Sequence, residues 1–272
     1  MPELPEVETV RIFLENHIVG KKTLLIKIEN SKLRFQISNE ISKRFCNHMI
    51  TKISRSGKYL IFFYSNKFSL LFHLGMTGYF RISNYYERKK HDHLMFYFEN
   101  QVLIFNDIRK FGFVKIYEEE KIKFSSHLIG MGPEPLSDRF SAEYFFKNLY
   151  RKTNIKNLLM NQSFVSGLGN IYCSEILFDS KIHPIRRVSS LSKEEVGGIV
   201  KSVKKTLRLA IKAGGTTIKN FIVSDEKVGY FKNKLMVYGR ERMKCKRCKM
   251  DNVIAKIKQS GRSTFFCSGC QL

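Results

Sequence analysis

Apolar positions along the chain follow two periods, and the switches between them mark its parts. Val7, Val10, Leu14 and Ile18 recur at helical spacing up to Gly20. That spacing predicts an opening helix with Pro5 in its first turn, where a missing N–H is tolerated. From Thr23 the period changes. Short runs rich in Ile, Leu, Phe and Tyr cover Thr23 to Glu29, Ile50 to Ser56, Tyr59 to Tyr64, Phe68 to Leu74, Tyr79 to Ile82, Leu94 to Phe98, Val102 to Phe105 and Phe113 to Tyr117. Turns such as Ser56-Gly57 and Ser65-Asn66 separate them, and strands so short and so many predict a β-sandwich or barrel. Gly130 to Asp138, with two glycines and two prolines, predicts a linker. Helical spacing then returns over Ser141 to Leu149, Asn154 to Met160 and Asn170 to Phe178. It is clearest over Ser192 to Ala213, where Ser192 and Glu195 form a capping box and Gly214-Gly215 ends the run. Residues 216 to 232 show no period and predict a long loop of the kind that often serves as a lid. Val253 to Lys258 and Ser263 to Cys267 predict a hairpin turning at Ser260-Gly261. The expected organisation is a catalytic β domain over 1–129, a linker over 130–138, a helical domain over 139–240 and a terminal hairpin over 241–272.

Composition narrows the class of partner. The 272 residues favour two domains over one, and 43% hydrophobic content fits a folded globular chain. Lys and Arg total 48 against 24 Asp and Glu, a net +24. An excess that large points to a polyanion, and its spread along the chain points to a folded basic face rather than a charged tail. No apolar run is long enough to span a bilayer and the start is acidic, so a membrane partner is not expected and a cytoplasmic location is. No internal repeat or low-complexity segment is present.

Candidate chemistry begins at the first residues, Met1-Pro2-Glu3-Leu4-Pro5-Glu6. A proline after the initiator methionine allows its removal, leaving a mature chain that starts with the secondary amine of Pro2. An α-amine titrates near about 8, well below a lysine, so much more of it is unprotonated at neutral pH. Its attack on a sugar carbon gives an iminium with no proton to lose, an electron sink that eases elimination. Glu3 and Glu6 lie within a few residues of it; on the plainer alternative Pro2 only sets the terminus and the two acids simply favour a helix start through its dipole. Lys58 follows a turn glycine at the head of a strand. Met76 lies between Gly75 and Gly78; a methionine commonly fills gaps in a core, yet the flanking glycines would lift this one onto an exposed loop. In Asn106-Asp107-Ile108-Arg109-Lys110-Phe111-Gly112, an extended backbone would point Arg109 and Phe111 to one side. Neither a core nor a solvent face wants that pair, whereas a surface that enters DNA does: the phenylalanine wedges and the arginine faces the gap. Gly167 and Gly169 allow a tight turn with Asn170 as N-cap, so backbone N–H groups face an anion. Cys245 and Cys248, then 18 residues, then Cys267 and Cys270 carry the paired spacing of a tetrahedral structural zinc site.

Together these segments resemble bacterial formamidopyrimidine-DNA glycosylase over nearly the whole chain, from Pro2-Glu3-Leu4-Pro5-Glu6 to the last cysteine pair. The resemblance implies an α+β multidomain fold: an N-terminal β-sandwich with flanking helices, then a C-terminal helical domain, whose helix-two-turn-helix element falls on residues 154 to 180, with a zinc-stapled β-hairpin. It implies that Pro2 is the nucleophile, with Glu3 as acid/base, Glu6 in support and Lys58 also catalytic. Lys58, Lys156, Asn170 and Arg262 would hold phosphates. Met76, Arg109 and Phe111 would fill the space left by a flipped base. His93, Glu175 and Thr217 would also meet the DNA, Thr217 within the closing segment Gly214-Gly215-Thr216-Thr217-Ile218. The implied partner is double-stranded DNA carrying oxidised bases or abasic sites, and the implied protein is a monomer with one Zn2+. Two other readings are open at this point: an endonuclease VIII-like enzyme for oxidised pyrimidines, and a zinc protein that binds DNA without chemistry. Asn157, where a proline often follows the lysine, and Met236, where a glutamine is usual, depart from the family pattern.

Overall fold

The computed structural model describes residues 2–216, 230–248 and 252–272. The chain divides into two compact units. One comprises Met1–Ile129 with Gly214–Tyr230, the other Gly130–Ala213 with Phe231–Leu272.

The first unit is a β-sandwich. Strands β1 (Leu25–Ile28), β2 (Ile50–Ser56), β3 (Tyr59–Tyr64), β4 (Phe68–His73), β5 (Tyr79–Ser83), β6 (Asp92–Tyr97), β7 (Val102–Asn106) and β8 (Phe113–Glu118) form two four-stranded sheets, ordered β1-β6-β7-β5 and β2-β3-β4-β8. Every pairing is antiparallel. The core is aromatic: the Phe72 ring lies 5.2 Å from Phe80 and 4.8 Å from Phe62, and Phe80 lies 5.1 Å from Phe105. Helix α1 (Leu4–Ile18) adds Val7, Val10, Leu14 and Ile18 to that same core. This burial explains the helical spacing of its apolar residues. The outer faces are also partly covered. Ile61, Leu71, Phe113 and Ile122 form a second cluster, and Met95, Val102 and Ile104 a third. Strands β3 and β4 therefore read as continuous apolar runs, because both of their faces are buried. Helix α2 (Glu40–Phe45) was not expected; its six residues bury only Ile41 and Phe45, too few to set up a period.

The second unit contains α3 (Ala142–Phe146), α4 (Ile155–Met160), α5 (Asn170–Asp179), α6 (Lys193–Lys212) and the hairpin of β9 (Ile254–Gln259) and β10 (Arg262–Cys267). The capping box at α6 is formed, with Ser192 N–H donating to Glu195 Oε2 at 2.8 Å and Glu195 N–H to Ser192 Oγ at 3.2 Å. The hairpin turns through Ser260 and Gly261, both at positive φ, a conformation that matches strand twist. Residues 130–138 are hydrogen-bonded into this unit. Gly132 N–H donates to the Gln162 carbonyl at 2.8 Å and Ser166 N–H to the Pro133 carbonyl at 3.1 Å. A Cβ on Gly132 would lie 2.4 Å from the Phe164 carbonyl carbon and oxygen, so only glycine lets the two backbones meet. Gly132→Ala should therefore destabilise the second unit by about 1–3 kcal/mol, the usual range for overpacking. Urea unfolding followed by hydrogen exchange of α4 and α5 amides checks this; unchanged exchange would mean the segment is a passive connector.

Candidate active site and nucleic-acid interface

Helix α1 places the expected N-terminal trio together. Pro2 is buried, and Glu3 and Glu6 are 1% and 3% exposed. Glu3 is the N-cap, and its N–H donates to Glu6 Oε2 at 2.8 Å. Glu6 Oε1 accepts from Thr216 N–H at 2.8 Å and Thr216 Oγ1 at 3.0 Å. The chain that leaves α6 thus returns to the first unit and seats on Glu6. Gly215 makes the approach possible: its φ is +82°, and a Cβ there would sit 2.8 Å from Glu6 Oε1. The positive end of the helix dipole favours both carboxylates at this position. Thr217 lies outside the described residues.

A second group, missed in the sequence, ties Lys58 to α1. Arg55 donates through Nη1 to the Gly57 carbonyl at 2.9 Å and through Nε to Glu8 Oε2 at 2.7 Å. Glu8 also accepts from Arg11 Nε at 2.8 Å. Burial opposes ionisation of Glu8, but the hydrogen bonds from the two arginines outweigh it and hold its carboxyl below the ordinary range. The turn that carries half-buried Lys58 is thereby strapped to the first turns of α1. Glu8 and Arg55 are 47 residues apart, so no local pattern announces the pair.

Met76, Arg109 and Phe111 come together around an open depression of about 640 Å3, lined also by Arg34, His73 and Gly75. Met76 and Phe111 are 38% and 45% exposed, unusual for such side chains, and Arg109 is exposed as well. The backbone here is not extended as expected. It turns at Ile108 and Arg109, Lys110 has a φ of +57°, and the Arg109 guanidinium stacks 4.8 Å from the centre of the Phe111 ring. Burial, with help from Lys58 and Arg34, pushes His73 down to about 4. Its ring is therefore neutral at physiological pH and accepts from Gly75 N–H through Nδ1 at 3.0 Å. His93, expected at the DNA, is fully enclosed; Nδ1 lies 3.0 Å from the Asn30 carbonyl and Nε2 3.0 Å from that of Asp107. It braces the loop from below, while half-exposed His91, two residues earlier at φ +73°, is the imidazole of this segment that meets solvent.

The second unit gathers the remaining residues. Lys156 on α4 is 1% exposed, and its ammonium donates to Asn170 Oδ1 at 2.6 Å and Thr264 Oγ1 at 2.5 Å. Asn170 in turn donates to the Ser263 carbonyl at 2.9 Å. Gly169, not Asn170, is the N-cap of α5, which releases the Asn170 amide for this bridge. Lys156 and Asn170 thus fix the root of the hairpin tip on which exposed Arg262 stands. Glu175 is buried and does not face outward. Its carboxylate accepts from the N–H groups of Met236, Val237 and Tyr238 at 2.8, 2.9 and 2.8 Å. Burial pushes its carboxyl up, against the pull of those three donors.

The four cysteines of the hairpin converge as their spacing predicts, with all sulfurs within 4.8 Å of one another. Cys245 to Cys270, Cys248 to Cys267 and Cys248 to Cys270 measure 3.8, 3.5 and 3.2 Å. A tetrahedral metal with bonds of about 2.3 Å to sulfur needs edges of about 3.8 Å, so the cage has the right size and donor type for a metal ion. Gly269 permits this closure, since a Cβ there would lie 2.2 Å from Asn252 Nδ2 and 3.0 Å from Cys248 Sγ.

Comparison with known proteins agrees with this layout. Residues 1–114 match the formamidopyrimidine-DNA glycosylase N-terminal domain and residues 131–222 the H2TH domain of that protein. Formamidopyrimidine-DNA glycosylases of Rickettsia bellii and Rickettsia felis are each 42% identical to the chain, over 100% of it and 99% and 98% of their own lengths. Among solved structures, Lactococcus lactis Fpg in complex with DNA containing an abasic site superposes with a TM-score of 0.92 at 38% identity, covering 99% of both chains. MutM in complex with DNA containing carbocyclic 8-oxo-G superposes at 0.91 with 37% identity and the same coverage. Both parts of the sequence thus match modules of a DNA glycosylase. The chain belongs to the formamidopyrimidine-DNA glycosylase family.

Glu175 supplies a direct check on the second unit. Glu175→Ala would strand three N–H groups at about 1–3 kcal/mol each. The expected result is a loss of more than about 2 kcal/mol in urea unfolding and of hydrogen-exchange protection at 236–238, partly recovered in Glu175→Gln. Unchanged protection in Glu175→Ala would mean the carboxylate does not hold that segment.

Proposed function

We propose that the protein excises oxidised purines, such as 8-oxoguanine and formamidopyrimidines, from duplex DNA and then cuts the strand at the abasic site. The observation that carries this reading is the buried cluster of Pro2, Glu3 and Glu6 at the start of α1, in a chain of this family with a net charge of +24. The damaged nucleotide is turned out of the duplex, at a cost lowered by its poor stacking. After removal of Met1, the Pro2 nitrogen attacks C1′ of the deoxyribose, and the base leaves with the electrons of the glycosidic bond. Glu3 moves protons at the sugar, helping the ring open to the iminium. Glu6 holds the Glu3 backbone through the hydrogen bond described above. The iminium acidifies C2′; loss of that proton expels the 3′ phosphate, and a second elimination expels the 5′ phosphate. Lys58, Asn170 and Arg262 meet phosphates, which gives a log–log salt slope of roughly −0.9 per phosphate neutralised, while Lys156, expected there as well, is buried and holds the Asn170 side chain in place. Met76, Arg109 and Phe111 occupy the space of the extruded base. Cys245, Cys248, Cys267 and Cys270 would hold one Zn2+ as four thiolates, and the ion would supply a structural staple for the hairpin. A monomeric enzyme in the bacterial cytoplasm, bound to DNA, goes with this reading.

Borohydride should trap a covalent complex between the protein and a duplex carrying 8-oxoguanine opposite cytosine. The complex should vanish in Pro2→Gly, and its persistence there would refute the assignment of the nucleophile. Cys248→Ser should lose the zinc, measured by plasma mass spectrometry, together with most duplex affinity. Full affinity without metal would remove the hairpin from the DNA contact.

A further inference from the structure

Met76 and the Arg109-Phe111 pair stand on different loops, β4–β5 and β7–β8, with nothing in the local sequence to make them move together. The structure does connect them, through one buried side chain. Asp107 is 0% exposed. Its Oδ1 accepts from Thr77 Oγ1 at 2.5 Å and from Arg109 N–H at 3.2 Å, and its Oδ2 accepts from Gly112 N–H at 2.7 Å. Arg109 N–H also lies 3.1 Å from Thr77 Oγ1. The carboxylate therefore brackets residues 109–112 at both ends and reaches across to the neighbour of Met76. The two backbones touch beside it: a Cβ on Gly75 would lie 2.4 Å from Gly112 N and 2.5 Å from the Phe111 carbonyl carbon. A Cβ on Gly112 would lie 2.9 Å from the His73 carbonyl oxygen and 3.0 Å from Asp107 Oδ2. From below, His93 Nε2 meets the Asp107 carbonyl. Next along the chain, Asn106 Nδ2 donates to Asp92 Oδ1 at 2.8 Å, and Asp92 Oδ2 in turn binds Arg81 Nη2 at 2.5 Å.

We propose that the Thr77–Asp107 hydrogen bond makes Met76, Arg109 and Phe111 a single rigid insertion element, with Thr77 and Asp107 as its positioning residues. This rests on the reading above that the three side chains enter the duplex. Entering a base stack costs unstacking energy, and side chains on independent loops would each lose further freedom on insertion. A shared mount, ordered when the protein folds, removes that second cost. The gain falls on finding and extruding a stacked base, and not on the bond-making that follows at the sugar.

The test uses the full-length enzyme, with single-turnover cleavage of one duplex carrying 8-oxoguanine and of the same duplex with a preformed abasic site. Thr77→Val keeps the shape of the side chain and removes its donor. It should slow 8-oxoguanine excision about tenfold, the worth of one good hydrogen bond, and leave abasic-site cleavage within about threefold. Thr77→Ser should restore excision. Phe111→Ala combined with Thr77→Val should lose little more than the worse single variant, because an element already loosened no longer benefits from its wedge. The proposal falls if Thr77→Val excises like the wild type, if it slows both substrates alike, or if the two losses multiply. If Phe111→Ala alone excises like the wild type, the insertion reading itself fails and takes the proposal with it.

Discussion

The Glu6 carboxylate joins the two stretches of chain from which the N-terminal site is made. One oxygen holds the backbone of Glu3, and the other holds the backbone and hydroxyl of Thr216. These stretches are 210 residues apart in sequence, so only the tertiary fold brings them together. A carboxylate this buried is tolerated because its lone pairs meet donors and because it lies at the positive end of α1. Its removal would leave two backbone N–H groups unsatisfied, at about 1–3 kcal/mol each, and would free Glu3 from its register beside Pro2. The proposed nucleophile is the residue just before Glu3, so this hydrogen bonding gives a defined geometry to its chain neighbour.

The rest of the first unit extends the same principle. The sandwich core is dominated by aromatic and aliphatic side chains and gives a stiff base, while each functional loop is tied to that base by a buried or half-buried polar group. Arg55 straps the Lys58 turn to Glu8, His73 shapes the turn before Met76, and Asp107 fastens the loop of Arg109 and Phe111. In the second unit, Lys156 and Asn170 do this for the hairpin tip and Glu175 for residues 236–238. Exposed basic and aromatic side chains can then be presented without being loose, as recognition of a bent, opened duplex requires.

Much of this was legible in the sequence wherever a local period or a fixed spacing carried it. The strands from Ile50 to Tyr117 announced themselves because burial on one or both faces demands apolar runs. Ser192 and Glu195 announced α6, and the two cysteine pairs announced the sulfur cage. What escaped was tertiary. Glu8 with Arg55, Thr77 with Asp107 and Lys156 with Thr264 join residues 47, 30 and 108 positions apart, and each looks like ordinary surface polarity in one dimension. The pairing of Arg109 with Phe111 was legible, but the backbone that achieves it is a turn with a left-handed Lys110. His93 was misplaced for a simple reason. His91 and His93 flank one aspartate, and only strand register decides which ring is covered.

The account depends most on a bond between the nitrogen of Pro2 and a DNA sugar. Peptide mapping by tandem mass spectrometry, after borohydride reduction of the enzyme with abasic duplex, reads that bond directly. The account predicts an N-terminal peptide that lacks Met1 and carries the reduced deoxyribose remnant on Pro2. A remnant on a lysine with Pro2 unmodified, or Met1 retained in the active protein, would contradict it.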